Sequence, residues 1–592
     1  MKWITKTNDK NIINHLSKSC KITEFQANLL MNRGIVDIDK ANKYLYGDLS
    51  YLYDQRMILD IDKGGEIIAQ AIKDKKKITV FGDYDTDGIT AIAASIRALN
   101  YLGANVDFYL PHRIKEGYGM NCDAIRVLKD KGTELIITVD NGIASIEEVK
   151  LAKELGMQIV VTDHHDCPPA LPEADAVINM KRANDPYPNK NLCGCALIWR
   201  VMEVVFKKLD ENIDFIYDLL PIVAIGTIQD MMDLTDENRI LVKEGLLAAN
   251  YGLIEGINAL MKVYELKELR ASDVAYKIGP TLNADGRLYT AETAVELMIT
   301  DNKERALDLA KELHQVNEER KLLTAMHLEE TETIIKQNNL DDNFVMVVLN
   351  KNIPEGLVGL IASKIKEKYQ VPTFIFTEGE EYFKCSGRGV EEHPLDLFSA
   401  IQKTKHLWVK GGGHKMACGL SMKKDKQILQ KFSDELNQIA KKLLNNEPFV
   451  PYIEIDGVID NPTEDLVREL EILEPIGKGN VSPRIATNLL DIEEARPVGD
   501  GSHLRFKFNY KVDDNVKDIY GIAFGMTYLY QKYNSPNQIK VLYSPSINVY
   551  TSPKNNQTYR NVQMQVQDFK PLEKRDKSFL ISSLKGSVKK AN

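Results

Sequence analysis

Residues 81–90, FGDYDTDGIT, place three carboxylates, Asp83, Asp85 and Asp87, on alternate positions at the end of the apolar run Ile78-Thr79-Val80-Phe81. Like charges this close repel one another unless a cation lies among them, so the spacing points to a divalent-metal site. The same residues would also serve as a solvated strand-end turn or a helix cap. What favours the metal is repetition. Residues 135–139 end in Asp140-Asn141-Gly142, residues 159–162 end in Asp163-His164-His165, and a fourth apolar run, 221–228, closes on Gln229-Asp230. Four strand-like runs that each terminate in Asp or His favour a convergent cluster. Carboxylates and imidazole without thiolate suit manganese or magnesium better than structural zinc. Two such ions can activate water and neutralise a phosphodiester as it becomes five-coordinate, so the chemistry expected is phosphodiester hydrolysis.

A second group of residues suits an anion. Gly411, Gly412 and Gly413 precede His414, and such a triplet lets backbone N–H groups approach a phosphate; Arg388, after Ser386 and Gly387, offers a planar fork for the same anion. A glycine triplet alone reads equally well as a linker. Followed by His and matched by S-G-R upstream, it reads as a clamp.

The elements that must position these groups follow from periodicity. Residues 1–50 have helical spacing (Ile22, Phe25, Leu29, Leu30) and form a small helical lead-in. From 51 to 300, apolar runs alternate with amphipathic segments, the pattern of a mostly parallel sheet covered on both faces. Residues 301–342 contain a helix from 302 to about 338, with Ala306, Leu309, Ala310, Leu313 and Val316 at helical spacing. At 1.5 Å per residue it would reach about 50 Å, which suits a strut between two domains. Residues 343–446 return to α/β alternation. From 447 to 570 a period of two takes over: Leu504, Phe506 and Phe508 against Arg505, Lys507 and Asn509, then Val562, Met564 and Val566 against glutamines, as in a small β-barrel. Tyr510, Tyr520, Phe524, Tyr543, Tyr550 and Tyr559 fall in this stretch, as core residues or as base-stacking platforms. The last residues, 571–592, form a basic tail.

Composition bounds the rest. A chain of 592 residues, 44% hydrophobic and 27% charged, holds several domains with sizeable cores. The first residues lack the apolar stretch of a signal peptide and no run approaches a membrane span, so a cytoplasmic location is expected. Seven scattered cysteines without a C-x-x-C pair indicate neither a disulfide framework nor a zinc site. A net charge of −9 excludes indiscriminate coating of nucleic acid, though not a nucleic-acid enzyme, since part of the acidity is the proposed metal cluster.

FGDYDTDG, the Asp163-His164-His165 triplet, PTLNADGR (280–287), CSGR (385–388) and GGGHKMACG (411–419) resemble the signatures of the DHH/DHHA1 phosphoesterase family, RecJ-type single-stranded-DNA-specific exonucleases, from about residue 60 to 569. The resemblance implies an α/β fold of two α/β domains, DHH and DHHA1, joined by a long helix, followed by an OB-fold β-barrel. It implies two divalent cations, manganese or magnesium, held by Asp83, Asp85, Asp87, Asp140, His164 and Asp230, with Asp140 as the bridge. Asp163 would orient a histidine, and His165 would face the phosphate, stabilising its charge or assisting the leaving group. Asn283 and Arg287 would contact the 5′ end of the strand, together with Ser386, Arg388, Gly411, Gly412, Gly413 and His414. The activity implied is 5′-to-3′ hydrolysis of single-stranded DNA to mononucleotides in repair and recombination. A single-strand-binding protein and a repair helicase are the implied partners, with no membrane. Residues 228–232, Ile-Gln-Asp-Met-Met, depart from the family's Val-Ala-Asp-Val wording but keep the acid. The rival readings are a DHH-type phosphodiesterase of short oligonucleotides or cyclic dinucleotides, which the barrel opposes, and a non-catalytic single-strand-binding scaffold, which the intact acids oppose.

Overall fold

The computed structural model describes residues 2–113, 115–512, 515–551 and 557–572, so the basic residues of the tail lie outside the described residues. The chain divides into two compact units: residues 48–451 with 477–479, and the residues up to 47 together with 452–476 and those from 480 onward.

The larger unit begins with a five-stranded parallel sheet, in the order Asn105–Tyr109, Lys77–Phe81, Leu135–Val139, Gln158–Thr162, Ala176–Ile178. Its central strands are near-continuous apolar runs because both faces are covered. Ile78, Val80, Ile137 and Val160 enter one core with helices Thr86–Tyr101, Gly194–Leu209 and Leu220–Gln229, while Phe81, Ile136, Ile159 and Val161 enter another on the opposite face. The apolar run 221–228, expected as a strand, is instead the helix Leu220–Gln229, buried on all sides, with Pro221 in its first turn. A short apolar run carries no period that separates a buried strand from a buried helix, and proline is compatible with a first helical turn. Asp230 accordingly ends a helix.

The connecting helix runs Lys303–Gln337, 35 residues, and Asn302 caps it by accepting from the N–H groups of Glu304 and Arg305. Its first half buries Ala306, Leu309, Ala310 and Leu313 in the first core, and Ile335 near its end enters the core of the second sheet. That sheet has the order Lys410–His414, Ala417–Lys423, Tyr382–Arg388, Thr373–Glu378, Met346–Leu349, antiparallel except for its last pair. The glycine triplet, which alone would read as a linker, is an exposed edge strand. A Cβ on Gly413 would come within 2.4 Å of the Ala417 carbonyl oxygen, so the strand pairs this closely only with glycine there.

In the smaller unit, Gln538–Thr551, Leu490–Val498, His503–Val512, Asn515–Ala523 and Thr558–Pro571 pair in turn, and the last pairs back to the first, closing a five-stranded barrel. Leu504, Phe506, Phe508, Tyr543, Met564 and Phe569 fill it. Tyr510 and Tyr520 are half-buried and Phe524 is exposed, while the side chains of Tyr550 and Tyr559 lie outside the described residues. The N-terminal residues belong here rather than leading into the parallel sheet: Lys2–Thr5 pairs in parallel with Tyr452–Ile455, and Leu16, Leu29, Leu30 and Ala41 share the barrel's core.

Candidate metal centre and phosphate cleft

The acidic turn is shaped by the helix it starts. Asp85 caps helix Thr86–Tyr101, accepting from the N–H groups of Asp87 (3.0 Å) and Gly88 (3.1 Å). A Cβ on Gly88 would lie 2.4 Å from the Asp83 carbonyl oxygen, so only glycine lets the turn close. Asp87 points into the N-terminus of helix Gly194–Leu209 and accepts from Gly194 N (2.6 Å) and Cys195 N (2.9 Å), where the helix dipole favours an anion. Asp140 follows the next strand in the left-handed region (φ 62°). His164 Nε2 lies 3.0 Å from Asp140 Oδ1, 3.4 Å from Asp230 Oδ2 and 3.7 Å from Asp87 Oδ2.

Two groups of potential ligands result, each with its donor atoms within 4.8 Å of one another: Asp83, Asp85 and Asp140, and Asp87, His164 and Asp230. Asp140 also belongs to a third group with His164 and His165, which places it between the other two. Burial, then repulsion from neighbouring carboxylates, raises Asp83 and Asp140 well above the carboxylate range and Asp230 to about 9. Asp87 rises to about 6, burial and Asp85 outweighing its backbone donors. Burial holds His164 down at about 3, leaving the neutral imidazole that a metal requires. Asp83 Oδ1, Asp230 Oδ2 and His164 Nδ1 are buried without a hydrogen-bond partner. A set of hard oxygen donors and one imidazole, mutually repelling and incompletely satisfied, fits divalent cations.

Asp163 belongs to none of these groups. It accepts from Ile143 N (2.9 Å), His165 N (3.0 Å) and His165 Nδ1 (2.8 Å). Burial works against charge on His165, but the Asp163 bond and charge prevail and raise it to about 9, which favours the imidazolium.

Across the second sheet, Ser386, Gly419 and Gly412 align in one row and Arg388, Ala417 and His414 two residues further on. The period of two therefore brings Ser386, Arg388, Gly412 and His414 to one face, and turns Gly411 and Gly413 to the other. Arg388 Nη1 donates to Ser386 Oγ and to Gly387 O, both at 2.8 Å. Arg287 Nη1 donates to Gly356 O (3.2 Å). Asn283 does not stand free: its side-chain Oδ1 accepts from Thr86 N (3.1 Å), tying its helix to the acidic turn.

Sequence patterns missed Arg113, Arg320, Tyr118 and the paired amides of Gly194 and Cys195. Burial and the repulsion of Arg113, Arg320 and Arg388 lower Arg287 to about 9, against the pull of Asp85, so four guanidinium groups converge here. Arg113 stacks 4.6 Å over the Tyr84 ring. Such a cluster is electrostatically suited to a phosphate. The motifs marked Arg287 and Arg388, but Arg113 in a glycine-containing loop and Arg320 on the helix that joins the domains carry no pattern of their own.

Residues 77–227 match the DHH family, N-terminal domain; residues 341–442 match the DHHA1 domain; and residues 454–568 match the RecJ OB domain. The chain is 30% identical to the single-stranded-DNA-specific exonuclease RecJ of Escherichia coli (strain K12) over 545 residues, 88% of this chain and 92% of that one. It is 32% identical to the protein of the same name from Bacillus subtilis (strain 168) over 503 residues, 84% of this chain, and spans 63% of that relative's length. The crystal structure of RecJ in complex with Mn2+ from Thermus thermophilus superposes with a TM-score of 0.79 at 26% identity, covering 97% of this chain and 80% of that one.

Proposed function

This chain belongs to the RecJ family of DHH phosphoesterases, and we infer that it is a metal-dependent exonuclease that hydrolyses single-stranded DNA from the 5′ end to mononucleotides. The observation that carries this is the pairing of charges: a buried carboxylate cluster whose repulsion cations would relieve, beside four converging guanidinium groups. Asp83, Asp85 and Asp140 would hold one cation and Asp87, His164 and Asp230 the other. When bound, manganese or magnesium supplies Lewis acidity and neutralises charge on the scissile phosphodiester.

The chain's own groups do the rest. His165, oriented by Asp163, offers a proton at Nε2 to a phosphoryl oxygen or to the leaving group. Arg388, Arg287 and Arg113 hold the terminal phosphate, and Ser386 fixes the Arg388 fork. Gly411, Gly412, Gly413 and His414 offer the edge of their strand to the same anion. Asn283 keeps the acidic turn in register with the helix that carries Arg287. We assign catalysis to residues 51–300, the strut to 301–342, the phosphate grip to 343–446 and strand binding to 447–570. A single-strand-binding protein and a repair helicase as suppliers of substrate, and a cytoplasmic location, accompany this assignment. Among the described residues no helix is long and apolar enough to cross a membrane.

End-labelled single- and double-stranded DNA, incubated with the purified chain with and without manganese, tests the activity. Metal-dependent release of 5′ mononucleotides from single strands alone is expected. Binding without hydrolysis would favour the scaffold reading, and turnover limited to dinucleotides would favour the short-oligonucleotide one.

A further inference from the structure

The loop between strand Asn105–Tyr109 and helix Cys122–Asp130 follows no periodic pattern, yet it is built around one carboxylate. Glu116 accepts from the Tyr109 hydroxyl (2.7 Å), from His112 N (2.7 Å) and from Asn121 Nδ2 (3.1 Å). Gly117 (φ 87°) and Gly119 (φ 78°), both in the left-handed region, flank Tyr118 and turn its side chain toward the site.

There the Tyr118 ring meets His165 edge-on, with centroids 5.6 Å apart. Its hydroxyl donates to the Asp140 carbonyl oxygen at 2.8 Å and lies 3.1 Å from His165 Nδ1. The other ring nitrogen, Nε2, is 3.5 Å away, at the limit of a bond. A tyrosine has one hydroxyl proton. With that proton committed to Asp140, the phenol oxygen donates to neither ring nitrogen; nearly equidistant from the two, it lies against the imidazole off the line of either N–H, and Nδ1–H is left to Asp163 Oδ1 at 2.8 Å. The imidazole is thus held at Nδ1 by Asp163 and braced on one side by the ring and oxygen of Tyr118. The same hydroxyl also braces the peptide of Asp140, a non-glycine residue whose left-handed backbone needs such support.

We propose that Tyr118 is a positioning residue for hydrolysis: its hydroxyl sets the orientation of His165 relative to Asp140. This rests on the hydrolase reading of the site. Tyr118 contacts no reacting atom and acts through the imidazole. The loop held by Glu116 is then part of the catalytic apparatus, with Arg113 at one end and Tyr118 at the other.

Tyr118→Phe keeps the ring and removes only the hydroxyl. With a 5′-phosphorylated single strand it should lower kcat about tenfold or more while KM moves by less than about twofold. Placed in a His165→Ala background, the same substitution should cost less than about twofold, because the group it acts through is gone. A second readout is independent of turnover. In 1H–13C spectra of histidine-labelled protein with magnesium, the ring signal lost in His165→Ala should move in Tyr118→Phe. Losses that multiply in the double variant, a rise in KM at constant kcat, or an unmoved His165 signal would each overturn the proposal. If the unaltered chain degrades no strand, the hydrolase reading fails by itself, and the ring signal alone decides whether Tyr118 holds His165.

Discussion

A Cβ built on Gly194 would lie 2.6 Å from the Cβ of Asp140 and 2.9 Å from its Cα. The helix whose first amides hold Asp87 therefore starts in van der Waals contact with the backbone of the acid that stands between the two proposed cation sites. Neither contact is with the free end of a flexible side chain, so neither can yield cheaply. Gly194→Ala should push the helix N-terminus away from the strand end and take its donors off Asp87. We expect hydrolysis to fall about 100-fold, the scale of an ångström-level misplacement, with the circular dichroism spectrum unchanged. Steady-state kinetics beside thermal melts would check this, and full activity would show that the contact is not under constraint.

Asp140 is the most crowded of the acids: after burial, its charge is opposed by Asp87, Asp85, Asp230 and Asp83 in that order. Asp140→Asn removes one of the repelling charges at nearly constant volume. In chelator it should stabilise the fold by about 1 kcal/mol, an instance of the trade between stability and a strained site. Hydrolysis should be lost. Manganese should raise Tm in the unaltered chain by binding only the folded state, and should do so far less in the variant. Denaturant melts with and without the ion measure both effects, and a manganese shift of wild-type size would remove Asp140 from the ligand set.

Arg388 is fixed by Ser386 Oγ and Gly387 O and shares a sheet face with His414. If it grips a terminal phosphate, Arg388→Ala forfeits a charge-assisted contact of about 2–3 kcal/mol, or about 30–150-fold, on 5′-phosphorylated strands. The preference for 5′-phosphate over 5′-hydroxyl ends should shrink with it, while the manganese-induced rise in Tm persists. The unaltered enzyme should leave circular single strands intact. Rapid cutting of a circle would show that the cleft admits internal phosphodiesters.

The division into two units changes how a truncation must be made. Removing only the residues after 447 would strip Leu16, Leu29, Leu30 and Ala41 of the core they share with the barrel. Such a fragment should aggregate, because it exposes an unpartnered apolar surface. Residues 48–451 keep every proposed ligand and the phosphate grip. This fragment should remain monodisperse and hydrolyse short single strands, with weaker and less salt-dependent affinity for long ones. Anisotropy titrations at several salt concentrations would test it, and long-strand affinity equal to that of the full chain would leave the barrel without a role in binding.

The ligand-bearing strand ends, the strut and the barrel strands were all legible in the order of residues along the chain. A strand of a covered parallel sheet must be a continuous apolar run, so the ends of 78–81, 135–139 and 159–162 were visible as abrupt changes to Asp or His. The long helix was legible because Asn302 caps it and few breakers interrupt it, and Leu504, Phe506 and Phe508 declared their face by a period of two. These signals are local, set by the geometry of a few consecutive residues. Tertiary structure decided what is not local. Residues 221–228 became a helix because neighbouring helices surround them, and the glycine triplet became a strand because Ala417–Lys423 pairs with it. The N-terminal helices found their core more than 400 positions away, as in the bond from Gln26 to the Glu469 carbonyl. Arg113 and Tyr118 lie in a loop without periodicity, and Gly194 and Cys195 act through backbone amides that any residue type carries. Their roles arise from proximity to Asp87, Asp140 and His165, and proximity between residues distant in sequence leaves no mark on the spacing of either.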